Sequence, residues 1–564
     1  MAVEKKVKAK AKPEKVKAVK AKAKPEKVKS GTQVIALSDM QKVANKKNKS
    51  AASAGVITEH VTSMYPLRGQ NEKNIEDLGL STYTETALQT YGSYVVEERA
   101  IADFRDGLKP VHRAILWSMD GLSLRSGAAF KKSARTVGDT IGQYHPHGDT
   151  AAYGAMVTIA NTMPPAVAGQ GNWGTPVDMA AAYRYTESRM SKFTDLFLLD
   201  SQYLDVVDYV SNFSNDKKIP IHLPALLPFM LFNGSVPAPA YGVKCGNPTF
   251  SFRSVSKIVI DMLNGAEYGA KKLAKTLKIL HEYGCETLMS ESDMVDFMAT
   301  GRGKVAYQPL MDIDLKKKTI HIKSYVPNGF ANTLAVSKTL EKLSQISGVG
   351  STASKSGKRN PNAGEYGAAY EVRCKGAGED RFYDIAQQVQ KEVTKSVNYT
   401  LGISIRHPEK KNAFRYLSYV QFFKGWIAYR IKLELKLIHS LIVKAEKELH
   451  LNEVYLFAVD NMKQLLAVLP KVLVSDDPDK TLAKALKMPQ EDAKIILDRQ
   501  VRKLAKLERA LLVEKINKLK AEIKSLNKDL KAPGARAAAD TEQRVKKYLK
   551  SPDKHSYSQK PIVI

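Results

Sequence analysis

Between residues 431 and 530, apolar side chains recur at alternating intervals of four and three in two separate stretches. Ile431, Leu435, Ile438, Ile442, Ala445 and Leu449 form the first series; Leu512, Ile516, Leu519, Ile523, Leu526 and Leu530 form the second. On an α-helix this spacing gathers each series onto one narrow seam that needs a second helix to cover it. A two-helix hairpin inside a globular core would carry the same seam. Length decides between the two: a helix over 413–449 would run about 55 Å at 1.5 Å per residue, so the pattern predicts an antiparallel coiled coil. Pro470, Pro478 and Pro489 punctuate the intervening 453–495, which fits a small helical knob with a dimer contact at the tip of the stalk. Residues 411–535 are read as stalk and knob, and 536–564 as a C-terminal tail.

The other end of the chain cannot fold by burial. The string VKAKAKPEKVK occurs at 7–17 and, unchanged, at 19–29; the first 29 residues carry twelve Lys, three Glu and no aromatic residue. Such a segment is expected to be disordered. Its charge suits non-specific contact with DNA, against the plainer reading of a solvated tail. Residues 1–83 as a whole are read as a disordered, Lys-rich extension. The charge excess is not confined there. The chain holds 88 Lys+Arg against 58 Asp+Glu, a formal net charge of +30, which points to nucleic acid or an acidic membrane surface. The longest apolar run, Leu223–Phe232, has ten residues interrupted by Pro224 and Pro228, whereas a membrane span needs about 20. The N-terminus lacks the apolar stretch of a secretory signal. Cys245, Cys285 and Cys374 are too widely spaced for a disulfide framework or a CxxC zinc site, and fit a reducing compartment.

Folded structure is expected from about residue 84. The stretch 85–118 reads as helical around a loop, ADFRDGLKP; further helices are predicted over 131–143 and 150–162, with Asp149 or Thr150 as cap. Two short helices joined by the tight HPHGD turn at 145–149 suggest a helix-turn-helix. Residues 221–400 mix β-like runs (VAYQPLMDIDL, KKTIHIKSYV, EYGAAYEVRC) with helices, so this part reads as α+β.

Tyr185 is one of 25 tyrosines, and three features single it out. Arg184 is adjacent, and a guanidinium can lower a phenol pKa or neutralise a phosphorane. The segment DMAAAYRYTESRM follows a glycine-rich stretch, AGQGNWGTP at 168–176, so the side chain could project from a wing. A basic helix-turn-helix candidate lies upstream. A tyrosine that attacks a phosphodiester conserves the bond energy as phosphotyrosine, so the strand can be resealed without further input. His145 and His147 flank Pro146 without the carboxylate–histidine spacing of a zinc site, and read as proton-transfer or phosphate-contacting groups. Asp312 and Asp314 alternate with Met311, Ile313 and Leu315, the pattern of a strand with exposed acids rather than a Mg²⁺ site. Gly348, Gly350 and Gly357 precede Lys358, but the spacing is not that of a P-loop.

These segments together resemble a known family. RDGLKPVHR (105–113), KKSARTVGDTIGQYHPHGD (131–149), GQGNWG (169–174) and AAAYRYTE (180–187) are similar, in sequence and in order, to the breakage–reunion subunit of type IIA DNA topoisomerases. That family includes the gyrase A subunit, the topoisomerase IV C subunit and the medium subunit of phage-type enzymes. The similarity continues through LPFMLFNGSVPAPAYGV (227–243) and KIILDRQVRKLAKLERALL (494–512), so it covers roughly 84–530.

The resemblance implies an α+β multidomain fold: a winged-helix domain over 84–220, an α/β tower over 221–410, and a long antiparallel coiled coil with a C-terminal dimer gate over 411–535. It implies Tyr185 as nucleophile with Arg184 as its partner, Arg99 near the scissile phosphate, and His145 and His147 beside them. Lys109, His112, Arg113, Lys132 and Arg135 match DNA-contacting basic positions, and Pro239 stands where the family usually has an isoleucine wedge that bends DNA. ATPase elements and a toprim motif are not recognisable, so Mg²⁺ and ATP are expected on a separate ATPase/toprim subunit. This chain would act as a homodimer within a heterotetramer, in a bacterial or infected host cytoplasm. The duplicated Lys-rich tail and the short C-terminus look more like a viral relative. No basic β-pinwheel follows the coiled coil, so relaxation or decatenation is expected rather than gyrase-type supercoiling. A rival of another class is a non-catalytic architectural DNA-binding protein, against which the Arg184–Tyr185 pair argues.

Overall fold

A computed structural model describes residues 79–174, 179–240, 242–280, 284–324, 333–355, 369–376, 378–406, 413–498 and 508–554. The lysine-rich repeats, and the extension up to residue 78, lie outside the described residues. Chain contacts divide the protein into Met1–Thr90 and Tyr91–Ile564. The described part of the first unit is helical from Leu80, so the folded part begins a few residues before the expected 84; the second unit carries the candidate site.

Three helices form early in it: Pro110–Gly121, Ser133–Gln143 and Asp149–Ala160. Pro110 opens the first, where its missing N–H costs nothing and its fixed φ favours a helical start. The RDGLKP turn before it needs its glycine. Gly107 has φ +68°, and a Cβ there would lie 2.2 Å from the Met230 backbone nitrogen. The three helices pack on one another. With them goes an antiparallel sheet in the order Lys131–Lys132, Glu187–Met190, Val167–Gln170, and its central strand emerges directly from the AAAYRYTE segment.

Behind these elements lies a large apolar core. Phe193, Phe197, Phe229, Phe232 and Phe252 are fully or almost fully buried, and each such side chain contributes roughly 1.5–3 kcal/mol by leaving water. The apolar run Leu223–Phe232 belongs to it, which explains a run that is too short for a membrane. No helix among the described residues is long and apolar enough to cross one. This core continues across residue 220 without a break; a separate core of Ile320, Ile322, Tyr370, Val372, Phe382 and Ile385 sits further along the chain. It carries a four-stranded sheet in the order Met311–Asp314, Thr319–Ile322, Tyr370–Cys374, Val349–Ser354.

The long helix runs from Tyr419 to Asp460, 42 residues. It starts later than residue 413 because Ala413–Tyr416 pairs as a strand with Gly402–Ile405. Ser418 then opens it with a capping box, its hydroxyl accepting from the Gln421 N–H while the Gln421 side chain accepts from the Ser418 N–H. The second helix, Arg509–Asp529, packs along the first. Its direction follows from three contacts: Arg509 pairs with Asp460, Lys520 with Glu453, and Leu526 shares a cluster with Ile442 and Ile438. The numbers rise on one helix as they fall on the other, so the pair is antiparallel. Ile438, Ile442, Ala445, Leu512, Ile516, Leu519 and Leu526 of the seam are buried. Between the two helices, Met462–Leu473, Pro478–Leu486 and Gln490–Leu497 enclose their own small core.

The described residues 536–554, expected as part of a tail, correct that reading. Pro533–Lys550 is an 18-residue helix that packs on Phe252–Leu263. Tyr548 is buried, its ring centroid 5.1 Å from that of Phe252. Beyond it, Asp553 accepts hydrogen bonds from the backbone N–H groups of Lys192 and Phe193, both at 3.0 Å, the orphan donors of the Lys192–Phe197 helix. A buried ionic cluster fastens the same helix to the stalk base. Arg430 donates to Glu434 at 2.7 Å, Tyr203 donates to Glu434 at 2.7 Å, and Arg536 reaches Glu434 at 3.1 Å.

Candidate active site

Tyr185 sits on the turn that leads into the central strand, 64% exposed. The Arg184 guanidinium carbon lies 4.8 Å from its ring centroid. Hydrogen bonding to Arg184, and then its positive charge, hold the Tyr185 phenol below its ordinary value. Tyr183, on the other side of Arg184, goes the opposite way. Its hydroxyl donates to Asp149 Oδ2 at 2.8 Å, and that bond and the carboxylate charge raise its phenol. The two tyrosines flanking the arginine are thus shifted in opposite directions, Tyr185 down and Tyr183 up.

The turn is held from below. Tyr153 donates to the Ala181 carbonyl at 2.7 Å and hydrogen-bonds Thr186 Oγ1 at 2.9 Å, while Thr186 donates to Ser133 Oγ at 2.8 Å. The Ser133 N–H donates to the Thr186 carbonyl at 3.0 Å, and the Ala181 N–H to the Asn172 carbonyl at 3.0 Å. The GQGNWG segment supplies the floor: Trp173 is buried, and a Cβ on Gly169 would lie 2.3 Å from its indole. Glycine there lets the backbone pass flat against the ring.

His145 and His147 stack, with centroids 4.2 Å apart and planes 18° from parallel. His147 Nε2 hydrogen-bonds the Tyr94 hydroxyl at 3.2 Å. Burial, then His147, then the positive charge of Arg99 push the His145 imidazole down to about 4, so it is neutral at physiological pH. Arg99 lies on a single π-helical turn over Val96–Ala100, near enough for its charge to act on His145. Asp149, two residues beyond His147, is the residue that Tyr183 grips. One hydrogen bond therefore joins the histidine turn to the turn that carries Tyr185.

The basic positions divide into two groups. Lys132 is exposed and pairs with Glu187 at 3.1 Å, the residue opposite it in the sheet, and Arg135 is exposed on the Ser133–Gln143 helix. Lys109 is half-buried, and burial lowers its amine. Arg113 and His112 require a correction, because neither faces solvent. Arg113 is 1% exposed and bonds Asp106 through Nε at 2.7 Å and Nη2 at 3.1 Å. His112 is 4% exposed, and burial drives it down to about 3. A guanidinium paired inside the core orders the RDGLKP turn and is not available to a phosphate. Pro239 lies in the Ser235–Ala240 strand opposite Lys244 of Val243–Asn247. Asp312 pairs with Lys323, and Asp314 accepts from the Lys317 N–H at 3.0 Å.

Sequence reasoning missed three members of this arrangement: Tyr94, Tyr183 and Asp149 as its partner. The only signal for Tyr183 was that two tyrosines bracket one arginine.

Comparison with known proteins agrees with the geometry. The family model for the A subunit of DNA gyrase and topoisomerase IV matches residues 99–541. The DNA gyrase A subunit of Helicobacter pylori (strain ATCC 700392 / 26695) is 29% identical over 468 residues, covering 82% of this chain and 55% of the relative. The DNA topoisomerase 4 A subunit of Escherichia coli (strain K12) is 30% identical over 444 residues, covering 77% of this chain and 56% of the relative. The chain spans about half the length of these relatives. With a family model matched over most of its residues, the chain belongs to the family of DNA gyrase and topoisomerase IV A subunits, the A-type subunits of type IIA topoisomerases.

Proposed function

We propose that this chain is the DNA-cleaving subunit of an ATP-dependent type IIA topoisomerase. The observation that carries this reading is the exposed Tyr185 phenol beside the Arg184 guanidinium, on a turn fastened at both ends. In the cleavage step the Tyr185 oxygen attacks a backbone phosphorus and loses its proton. The bond from phosphorus to the 3′ oxygen breaks, and that oxygen takes up a proton. The products are a 5′-phosphotyrosyl link and a free 3′ hydroxyl. Because one ester replaces another, the same atoms run the reaction backwards and reseal the strand.

Arg184 favours the phenolate before attack and stabilises the charge that builds on the phosphoryl oxygens. Arg99 approaches the same phosphate. Neutral His145 serves as a hydrogen-bonding or proton-carrying group rather than as a fixed cation, and His147, held by Tyr94, lies beside it. Two chains acting on opposite strands open the duplex, a second duplex passes, and the break closes, giving relaxation or decatenation. We read the three helices and three-stranded sheet as the winged helix, the four-stranded sheet region as the tower, and the long helix pair with its knob as the coiled coil and dimer gate. Lys109, Lys132 and Arg135 supply phosphate contacts, and Pro239 the apolar wedge. Mg²⁺ and ATP are assigned to an ATPase/toprim partner in a heterotetramer. Cytoplasmic DNA, bacterial or in an infected host, is the site of action.

The test is to purify the chain with the product of its neighbouring ATPase gene and supply supercoiled plasmid, ATP and Mg²⁺. Loss of supercoils or release of catenated circles is expected. Binding and bending of DNA without any change in topology would instead leave the architectural reading.

A further inference from the structure

The exposed Tyr185 side chain is not gripped by a core, so its position depends on what holds the turn. Tyr153, Thr186 and Ser133 fix the base of the turn. On the other side of the nucleophile, the turn is tied by the bond from Tyr183 to Asp149, 2.8 Å long. We propose that Tyr183 is a positioning residue for strand cleavage, locking the nucleophile turn to Asp149 and so to the histidine turn. This rests on the reading of Tyr185 as the nucleophile.

Three observations support it. Asp149 stands in the first turn of the Asp149–Ala160 helix, where the helix dipole favours an anion, so Tyr183 donates to a carboxylate in a charge-assisted hydrogen bond. The Tyr183 ring meets Tyr153 edge-on, centroids 5.7 Å apart and planes at 72°. That contact aims the hydroxyl and would survive its removal. Asp149 also follows His147 by one intervening glycine, so this bond ties the nucleophile turn close to the histidine pair, beside the ties that Tyr153 makes from the same helix. With its hydroxyl committed to Asp149, Tyr183 stays protonated and does not compete as a nucleophile, although it flanks the same arginine.

The experiment uses the full chain in complex with its partner, acting on a short duplex. The covalent-adduct rate at saturating DNA and the DNA affinity are measured for Tyr183→Phe, Asp149→Asn and the double variant. Each single variant is expected to lose about ten- to a hundredfold in rate, the scale of a small misplacement of a reacting group, with affinity unchanged. The double variant is expected to lose no more than the worse single one, because both remove the same bond. Wild-type cleavage by Tyr183→Phe, equal losses in rate and affinity, or single losses that multiply in the double variant would overturn the proposal. A wild-type rate of zero, or adducts formed by Tyr185→Phe, would instead strike the nucleophile assignment. Independently of activity, a carbon-13 tyrosine titration should show Tyr183 ionising above the ordinary value and returning toward it in Asp149→Asn. A normal titration in the wild type would mean that the bond is absent and the proposal wrong.

Discussion

Arg184 and Tyr185 are adjacent in sequence and in space, the guanidinium carbon 4.8 Å from the phenol centroid, on a turn where both are exposed. Neighbouring residues on a strand point to opposite faces; here the turn brings the two side chains together. On the proposed reading the pair combines a nucleophile with the charge that activates it, and the consequence for pH is direct.

Arg184→Ala removes the hydrogen bond and charge that lower the Tyr185 phenol. The phenol should move up toward its ordinary value, so the pH–rate profile for cleavage should shift to higher pH. The rate at neutral pH should fall by on the order of 10²–10³, by analogy with loss of an oxyanion-hole donor, with DNA affinity changed much less. Single-turnover quenching across pH checks this. An unmoved profile, or equal falls in rate and affinity, would mark Arg184 as a plain phosphate contact.

His112 and His222 are buried, and burial pushes them down to about 3 and about 4, from an ordinary value of 6.5. Their folded values lie below the unfolded one, so folding is unpenalised above about pH 6.5 and loses stability as pH falls through the window toward those values. Each histidine contributes up to about 1.4 kcal/mol per pH unit within it. Urea denaturation at neutral pH and at pH 5 should show the loss, and His112→Gln should flatten it. A His112→Gln variant with the wild-type slope would show that this histidine is not buried in neutral form.

Arg113 and Arg135 should separate cleanly. Arg113→Ala strands Asp106, itself fully buried, and should cost about 3–5 kcal/mol of stability. Arg135→Ala should fold normally, weaken DNA binding and lower the salt slope by about one unit. Calorimetry and salt-dependent binding check the pair; a fully stable Arg113→Ala variant that binds DNA weakly would restore Arg113 as a phosphate contact.

What the sequence disclosed depends on whether local pattern or distant packing decides the outcome. The helices over 131–143 and near 150–162 follow from spacing, and the heptad seams from period alone; the cap expected at Asp149 or Thr150 falls instead at Gly148, with no side-chain cap bond. The burial of Arg113 did not, because a basic residue inside RDGLKPVHR reads as exposed until Asp106 is placed against it. Nor did the C-terminal helix. PGARAAADTEQRVKKYLK is mostly polar and small, and its burial rests on Ala537, Ala538, Val545 and Tyr548 meeting a core built mainly far upstream. Tyr183 was hidden for a similar reason: its role lies in Asp149, 34 positions away.

That helix makes its own prediction. Tyr548→Ala should cost about 3–5 kcal/mol, the usual effect of emptying a buried aromatic site, measured as a lower denaturation midpoint. A variant as stable as wild type would mean the segment is a tail after all.

In the proposed mechanism strand cleavage rests on one hydroxyl. Tyr185→Phe removes it and leaves the ring beside Arg184. With the ATPase/toprim partner, Mg²⁺ and labelled duplex present, the reaction is stopped with detergent and resolved under denaturing conditions. The wild-type chain should carry the label covalently at the 5′ end of the break. Tyr185→Phe should bind the duplex with near wild-type affinity and carry none. Label remaining on the Tyr185→Phe chain would refute Tyr185 as the nucleophile.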